Sequence, residues 1–198
     1  MAEEAGLEKT RDAVACGLSL NEWLASLETC KLKSGGNMLG HLKTHYAAKD
    51  LVTQAMPDDE RLWVPQAENV WFRPLLLDTV GGEWVNLLRV RKTGVLSRHR
   101  HPAPVHGYVI KGSWRYLEHD WVAKKGMYVY EPPGEVHTLV VENDAEMITL
   151  FNVRGALVYY DEANKPTGHD DVHTKIALCR EHFGQVGLGE DFVEQFIR

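Results

Sequence analysis

The sequence predicts an all-β domain that is preceded by a helical extension and followed by short helices. Between residues 63 and 160 it contains many short runs of aromatic and β-branched residues, which are typical of strands. Proline, glycine or aspartate separates these runs, so turns are frequent. Many short strands joined by frequent turns favour a β-sandwich or a β-barrel.

Residues 1–56 are predicted to form the helical N-terminal extension. Ser19 and Glu22 have the spacing of a capping box, in which each residue satisfies a backbone N–H near the other. Apolar residues then recur at helical spacing: Leu20, Trp23, Leu24 and Leu27. Such a helix could pack on the β domain, form a dimer contact or act as a binding module. His41 and His45 are four apart, but no third ligand is near in sequence, so a solvated helix face is favoured over a metal site.

The β domain is predicted to span residues 57–198, after a polar, proline-containing stretch at residues 56–60. Outside the histidine-rich region, the predicted strands cover residues 63–64, 70–72, 75–77, 84–90, 147–153 and 156–160. Asp171 is a candidate cap for a C-terminal helix. Four residues give that helix an apolar stripe: Val172, Ile176, Cys179 and Phe183. A last short helix is predicted over residues 190–197.

The composition is that of an ordinary globular protein with one substantial core. Of 198 residues, 44% are hydrophobic and 25% are charged. The net charge is −6 and no basic stripe is present, which argues against nucleic acid as a partner. No signal sequence and no apolar run of ~18 residues is visible, so a cytoplasmic protein without membrane contact is expected. Three scattered cysteines indicate neither disulfides nor a thiolate metal site.

Three histidines have the spacing of metal ligands. His99 and His101 are two apart in a strand-like run, and the alternation of a strand sends both side chains to one face. His137 follows a second pattern containing Gly126, Pro132 and Gly134, in which the Pro–Gly turn directs a new strand towards the same space. Together the three imidazoles form a facial set with open positions. Imidazole binds zinc, copper, iron and nickel, so the ligand type does not identify the metal.

Residues 94–141 resemble the two motifs of the cupin superfamily, which are small jelly-roll barrels that hold a metal in the barrel mouth. The second motif matches in its glycines, proline and histidine, although Val141 stands where many cupins have asparagine. The first motif usually has a glutamate ligand three or four residues after its second histidine, and this chain has Val105 and His106 there. The resemblance therefore implies a cupin jelly-roll barrel with a three-histidine metal site that lacks this carboxylate.

Three further blocks of sequence indicate one group within the superfamily: residues 112–121, 129–139 and 179–193. They are similar to the 2,4'-dihydroxyacetophenone dioxygenase group of cupins, which are non-haem iron enzymes that split a carbon–carbon bond beside a ketone with O2. The similarity covers residues 62–198. It implies a C–C-cleaving dioxygenase with Fe(II) as cofactor, zinc or nickel being alternatives. Its partners would be O2 and a small aryl hydroxyketone or β-diketone, and its products carboxylic acids.

His106 and Glu118 are the candidate catalytic residues, because either could take a proton from the substrate. The position of the missing ligand depends on how the cupin motif is aligned with this chain. Aligned on His101 the position falls on His106, and aligned on Gly112 it falls on Val105. Ligation and hydrogen bonding in the pocket both remain open for His106. Glu118 could also reach the metal or lie at a solvated position. Four aromatic residues are candidates to bind the substrate, with ordinary barrel packing as the alternative: Trp114, Tyr116, Tyr128 and Tyr130.

Three neutral imidazoles would leave both charges of a divalent ion uncompensated. Such a site favours an anionic chelate, for example a deprotonated hydroxyketone or the enolate of a diketone. Two other functions remain: a metal-binding sensor whose N-terminal extension contacts a protein, and a non-oxidative isomerase or hydrolase. A homo-oligomer is expected, since jelly-roll barrels leave sheet edges and apolar faces that subunits cover, and the group that this chain resembles is oligomeric.

Overall fold

The computed structural model of the protein describes residues 48–142 and 146–198, together with Glu22. Glu22 is helical and exposed. The rest of the predicted N-terminal helix and the His41/His45 pair lie outside the described residues. The chain divides into two units, Met1–Ala48 and Lys49–Arg198, and all the elements below belong to the second. The domain boundary at residue 57 stays a prediction.

Twelve strands in the described residues form two antiparallel sheets. The strands are β1 (Val64–Ala67), β2 (Val70–Asp78), β3 (Glu83–Val90), β4 (Gly94–Arg100), β5 (Val105–Lys111), β6 (Ser113–Tyr116), β7 (Ala123–Lys124), β8 (Tyr128–Glu131), β9 (Val136–Val141), β10 (Met147–Arg154), β11 (Ala156–Tyr160) and β12 (Pro166–Asp171). The first sheet has the order β1-β2-β3-β10-β5-β8, and the second has the order β12-β11-β4-β9-β6-β7. This arrangement confirms the predicted all-β jelly-roll fold.

The main apolar core consists of side chains from both sheets and from the C-terminal helices. The alternation along β5 shows how the sequence produces it. Val105 and Val109 are buried, whereas His106 and Tyr108 between them are exposed. Phe72 on β2 and Trp84 on β3 are among the largest fully buried side chains of this core.

The two predicted strands at residues 70–72 and 75–77 are one strand, β2. Its pairing with β3 shifts register between Pro74 and Leu76. Proline has no N–H to donate to the ladder, and a bulge is where a strand accommodates it. The proline that suggested a break in the sequence therefore produces an irregularity within a continuous strand.

The predicted C-terminal helix is present as α1 (Val172–Gln185), and the Asp171 cap is confirmed. The Asp171 carboxylate accepts from the Thr174 backbone N–H at 2.8 Å, and the Thr174 hydroxyl accepts from the Asp171 N–H at 2.8 Å. The last predicted helix is a 3-10 helix over Glu190–Phe196. No helix in the described parts of the chain is both long and apolar enough to cross a membrane.

Candidate metal centre

The two sheets bring three histidines and a glutamate together. His99 on β4 pairs directly with His137 on β9, and His101 follows just after the end of β4. Glu131 is the last residue of β8, in the other sheet. All four side chains are buried. The ring centroid of His137 lies 4.7 Å from that of His99 and 5.1 Å from that of His101, so the imidazoles converge on one point.

Three buried polar atoms of this cluster have no hydrogen-bond partner among the described residues: His101 Nε2, His137 Nε2 and Glu131 Oε1. The other carboxylate oxygen, Glu131 Oε2, lies 3.3 Å from His101 Nε2 and 3.8 Å from His137 Nε2. Ligand atoms of His99, Glu131 and His137 all lie within 4.8 Å of one another. Buried polar atoms nearly always have a partner, and one cation would serve all of these. The cluster therefore suggests a metal-binding site.

Backbone and hydroxyl contacts orient the imidazoles for this role. His101 Nδ1 lies 2.7 Å from the carbonyl oxygen of Ala103. A carbonyl can only accept, so Nδ1 carries the proton and the Nε2 lone pair faces the cluster. His99 Nδ1 is 3.1 Å from the Ser97 hydroxyl, which leaves its Nε2 for a metal.

Burial keeps two of the imidazoles neutral. Burial and the neighbouring imidazoles lower the pKa of His99 to about 4 and the pKa of His137 to about 3. Both rings are therefore unprotonated at neutral pH, the form that binds metals.

Tyr116 on β6 fixes the carboxylate and one imidazole at once. Its hydroxyl donates to Glu131 Oε2 at 2.6 Å, and its ring stacks on His137 with the centroids 3.8 Å apart and the planes within 7°. Burial and the neighbouring Glu131 raise the pKa of Tyr116 well above its usual value, so the hydroxyl keeps its proton and remains a donor. Tyr116 therefore holds Glu131 in a single orientation.

A family model described as the ChrR cupin-like domain matches residues 52–158, which is more than half of the chain. The chain belongs to this family. An RmlC-like cupin protein from Ralstonia eutropha JMP134 is 31% identical over 63% of this chain and 83% of its own, with a TM-score of 0.60. No curated protein sequence matches the chain.

Two further solved structures share the fold at lower identity. A protein of unknown function with a cupin-like fold, also from Ralstonia eutropha JMP134, is 24% identical over 60% of this chain and 75% of its own, with a TM-score of 0.57. The acetylacetone dioxygenase of Acinetobacter johnsonii is 15% identical over 66% of this chain and 93% of its own, with a TM-score of 0.56. At these identities the likeness shows the cupin fold alone. Membership of the 2,4'-dihydroxyacetophenone dioxygenase group stays a prediction.

Glu131 is the member of the cluster that sequence reasoning missed in this cupin-like domain. The expectation of a site without a carboxylate was wrong, because β8 supplies one from the opposite sheet. A signal was present in the sequence. Glu131 is two residues after Val129 on a strand and directly precedes the Pro132–Pro133 turn towards His137, so alternation places it on the inner face.

The structure does not bring His106, Tyr128 or Tyr130 to the cluster. They are exposed on the outer face of the first sheet, where His106 Nδ1 lies 2.6 Å from the Tyr128 hydroxyl. Their strand neighbours Val105 and Glu131 point inwards instead. Trp114 is buried in the core, with its ring 5.2 Å from that of Tyr116.

Glu118 follows β6 and is bound to other groups. Its carboxylate accepts from the Thr138 backbone N–H and the Thr138 hydroxyl, both at 2.8 Å, and lies 3.8 Å from the Arg98 guanidinium. Burial acts to raise the pKa of Glu118, but the bonds from Thr138 outweigh it and lower the pKa overall. These hydrogen bonds hold the Glu118 carboxylate at Thr138, the residue next to His137, and not at the cluster.

A cavity of about 420 Å³ lies beside the histidine–glutamate cluster of this cupin-like domain. His99, Tyr116 and Glu131 of the cluster line it. The apolar part of the lining includes Leu96, Val105, Leu139, Phe151, Val153 and Leu157. A polar group in the lining contains Gln66, Tyr159, Asp170 and Lys175, and its Tyr159 ring lies 6.4 Å from the His99 ring. Lys175 Nζ donates to Asp170 at 2.8 Å and to Gln66 at 2.9 Å, and the Tyr159 hydroxyl donates to Asp170 at 2.7 Å.

The two lowered histidine pKa values lead to an expected pH dependence of stability. The folded-state pKa values of His99 and His137 lie below the usual 6.5, so between about pH 6.5 and 4 the unfolded chain binds more protons than the folded chain. The free energy of unfolding of the metal-free protein should therefore be fully retained above pH 6.5 and decrease as the pH falls through this window. Urea denaturation at a series of pH values, with a chelator present, measures it.

The matched variant for this measurement is the double substitution His99→Gln/His137→Gln. Glutamine cannot take up the proton, so the decrease in stability between pH 6.5 and 4 should be smaller than in wild type. The same slope in both proteins would mean that other groups cause the acid sensitivity.

Proposed function

We propose that this cupin-like protein is an iron(II) dioxygenase that cleaves a carbon–carbon bond beside a ketone. Its substrate would be an aryl hydroxyketone, which O2 would cleave to two carboxylic acids, or a β-diketone, which O2 would cleave to a carboxylic acid and a 2-oxoaldehyde. The observation that supports this proposal most is the convergence of unpartnered His101, His137 and Glu131 atoms next to a mostly apolar cavity. The acetylacetone dioxygenase of Acinetobacter johnsonii shares the cupin fold, so C–C bond cleavage with O2 is the first reaction to test.

His99, His101, His137 and Glu131 would hold the ion. Iron(II), when bound there, supplies Lewis acidity towards the chelating oxygens of the substrate and reactivity towards O2. Glu131 contributes one negative charge, so one positive charge of a divalent ion is left uncompensated. A monoanionic chelate, such as the enolate of a β-diketone, would balance that charge.

The cavity walls explain why an apolar substrate body is proposed. Leu96, Leu139 and Leu157 line the same cavity as His99 and Glu131, so the ring of an aryl ketone could be buried against them. Tyr116 keeps the Glu131 carboxylate oriented through its 2.6 Å hydrogen bond. Preorganisation of this kind keeps the Glu131 carboxylate directed at the imidazoles, so the protein side of the site needs little rearrangement when an ion binds.

Oxygen consumption is the decisive measurement for this proposal. Protein purified anaerobically and loaded with iron(II) should consume O2 with at least one member of a panel of aryl hydroxyketones and β-diketones. With 18O2, both carboxylic acids formed from a hydroxyketone should carry label when analysed by mass spectrometry, and a β-diketone should give one labelled carboxylic acid together with a 2-oxoaldehyde. Val80→Ala, which changes a side chain that is 93% exposed on a turn, serves as a control and should behave like wild type.

Other outcomes would favour the alternatives. Substrate conversion without O2 uptake would indicate a metal-dependent isomerase or hydrolase. Full iron binding without conversion of any member of the panel would contradict the enzyme proposal and favour a metal-binding role in sensing or protein interaction.

A further inference from the structure

The cavity lining contains buried polar side chains that the proposed reaction at the metal does not use. We call them the polar patch, and it consists of Gln66 on β1, Tyr159 on β11, Asp170 on β12 and Lys175 on α1. Lys175 is only 3% exposed and Asp170 only 9%, yet both line the cavity. Charged side chains are seldom this deeply buried, so what they can bind inside the cavity follows from their unused hydrogen-bonding capacity.

Asp170 is the centre of the polar patch. Its Oδ2 atom accepts from Lys175 Nζ at 2.8 Å, from the Tyr159 hydroxyl at 2.7 Å and from Gln66 Nε2 at 3.1 Å. Burial and the neighbouring Asp170 raise the pKa of Tyr159 above its usual value, so the hydroxyl keeps the proton that it donates. The charges of Lys175 and Asp170 cancel, and the polar patch as a whole is therefore neutral.

Two hydrogen-bonding positions of the polar patch remain open among the described residues. The Lys175 ammonium has three N–H groups, and Asp170 and Gln66 accept from two of them. The Phe72 ring, 4.6 Å from Nζ, makes a cation–π contact with the ammonium charge. The Tyr159 hydroxyl donates its one proton to Asp170, and its oxygen is approached by Gln66 Nε2 at a long 3.4 Å. One N–H of Lys175 can thus still donate, and the Tyr159 oxygen can still accept.

Strand pairing places the polar patch beside the metal centre. Tyr159 on β11 is the direct partner of His99 on β4, and the centroids of the two rings are 6.4 Å apart. The hydroxyl of the same tyrosine reaches Asp170. One tyrosine side chain therefore connects the surroundings of His99 with the polar patch. A ligand whose body is about as long as one aromatic ring can lie along Tyr159 and contact both.

We infer that the polar patch binds a neutral hydroxyl group of the molecule that occupies the cavity, on the side of that molecule remote from the metal. A hydroxyl can accept from Lys175 and donate to the Tyr159 oxygen at the same time. A methyl group in its place would leave the buried N–H of Lys175 without an acceptor, which costs free energy. The inference rests on the proposed function only in identifying this molecule with the substrate, which would then carry a hydroxyl group away from its chelating oxygens.

Charged groups fit the polar patch less well than a hydroxyl. A carboxylate would accept from Lys175 but would also face the negative charge of Asp170. An ammonium group would face the positive charge of Lys175. Because the patch is neutral as a whole, neither ion would recover the free energy that it loses on leaving water.

Probes that cannot chelate a metal test the polar patch separately from the reaction. Phenol and toluene have nearly the same shape and differ in the hydroxyl group, whereas benzoate carries a negative charge. Isothermal titration calorimetry of the metal-free full chain should give phenol a dissociation constant at least about 10-fold lower than that of toluene or of benzoate.

Substitutions test the assigned residues. Tyr159→Phe removes the accepting oxygen and Lys175→Met removes the donor, so each should reduce the preference for phenol over toluene at least about 5-fold. Tyr128→Phe removes a tyrosine hydroxyl on the outer face of the first sheet and should retain the wild-type preference. Circular dichroism melts identify any variant that fails to fold, and Tyr159→Phe keeps the test conclusive if Lys175→Met does so.

Three results would overturn the inference: no binding of phenol to wild type, binding of toluene or benzoate as tight as that of phenol, or the full preference for phenol in a folded Tyr159→Phe variant. These results are distinguishable from a failure of the proposed function. A preference for phenol without O2 uptake contradicts only the dioxygenase, whereas O2 uptake by a protein without this preference contradicts only the role of the polar patch.

Discussion

Loss of bound metal is the expected result when any of the three clustered histidines is replaced by alanine. Protein with His99→Ala, His101→Ala or His137→Ala, purified without O2, should retain less than about a tenth of the wild-type metal, since one of few ligands is removed. The fold should survive, because the apolar core between the sheets is independent of the cluster. Elemental analysis and a thermal melt measure the two effects.

Three control variants test whether the metal is bound by Glu131, which the structure places in the cluster, or by His106 or Glu118, which the sequence suggested. His106→Ala removes an exposed imidazole on the outer face of β5 and should leave the metal content unchanged. Glu131→Gln keeps the shape of the side chain but removes its charge, so it should weaken metal binding clearly. Glu118→Gln should not. Full metal occupancy in all three histidine variants would contradict the site, and a larger loss in Glu118→Gln than in Glu131→Gln would assign the carboxylate to Glu118.

A large loss of stability is expected when Lys175, which lines the cavity and contacts Asp170, is replaced by methionine. Its ammonium group is buried against Asp170, at 2.8 Å, and lies 4.6 Å from the centre of the Phe72 ring. Burial lowers the pKa of Lys175, while Asp170 acts against that shift. Removing one partner of a buried ion pair leaves the other charge uncompensated, which costs about 3 kcal/mol or more. Urea denaturation at pH 7 measures the difference.

Two further variants define the origin of this loss. Lys165→Met removes an exposed lysine and should change the free energy of unfolding by less than about 0.5 kcal/mol. The double variant Lys175→Met/Asp170→Asn removes both charges and should recover part of the lost stability. If the free energy of unfolding of Lys175→Met lies within about 0.5 kcal/mol of the wild-type value, the Lys175–Asp170 pair does not stabilise the fold.

The order and class of most elements could be predicted from local patterns. The frequent turn residues, the aromatic and β-branched runs and the Asp171 cap all act over a few residues, and the structure contains the strands and the helix that they indicate. Local patterns did not predict the bulge in β2. Whether Pro74 breaks a strand or bends it depends on the pairing of β2 with β3.

The sequence by itself determined that the chain folds as a β domain and that His99, His101 and His137 stand at positions from which they can converge. Only the tertiary structure decided which carboxylate joins them and which aromatic residues face the cavity. Alternation along β8 indicates that Glu131 faces inwards, but its approach to the histidines of the other sheet depends on long-range strand pairing, which has no local signature. Side chains on a strand alternate with a period of two, so a shift of one residue separates buried Glu131 from exposed Tyr130.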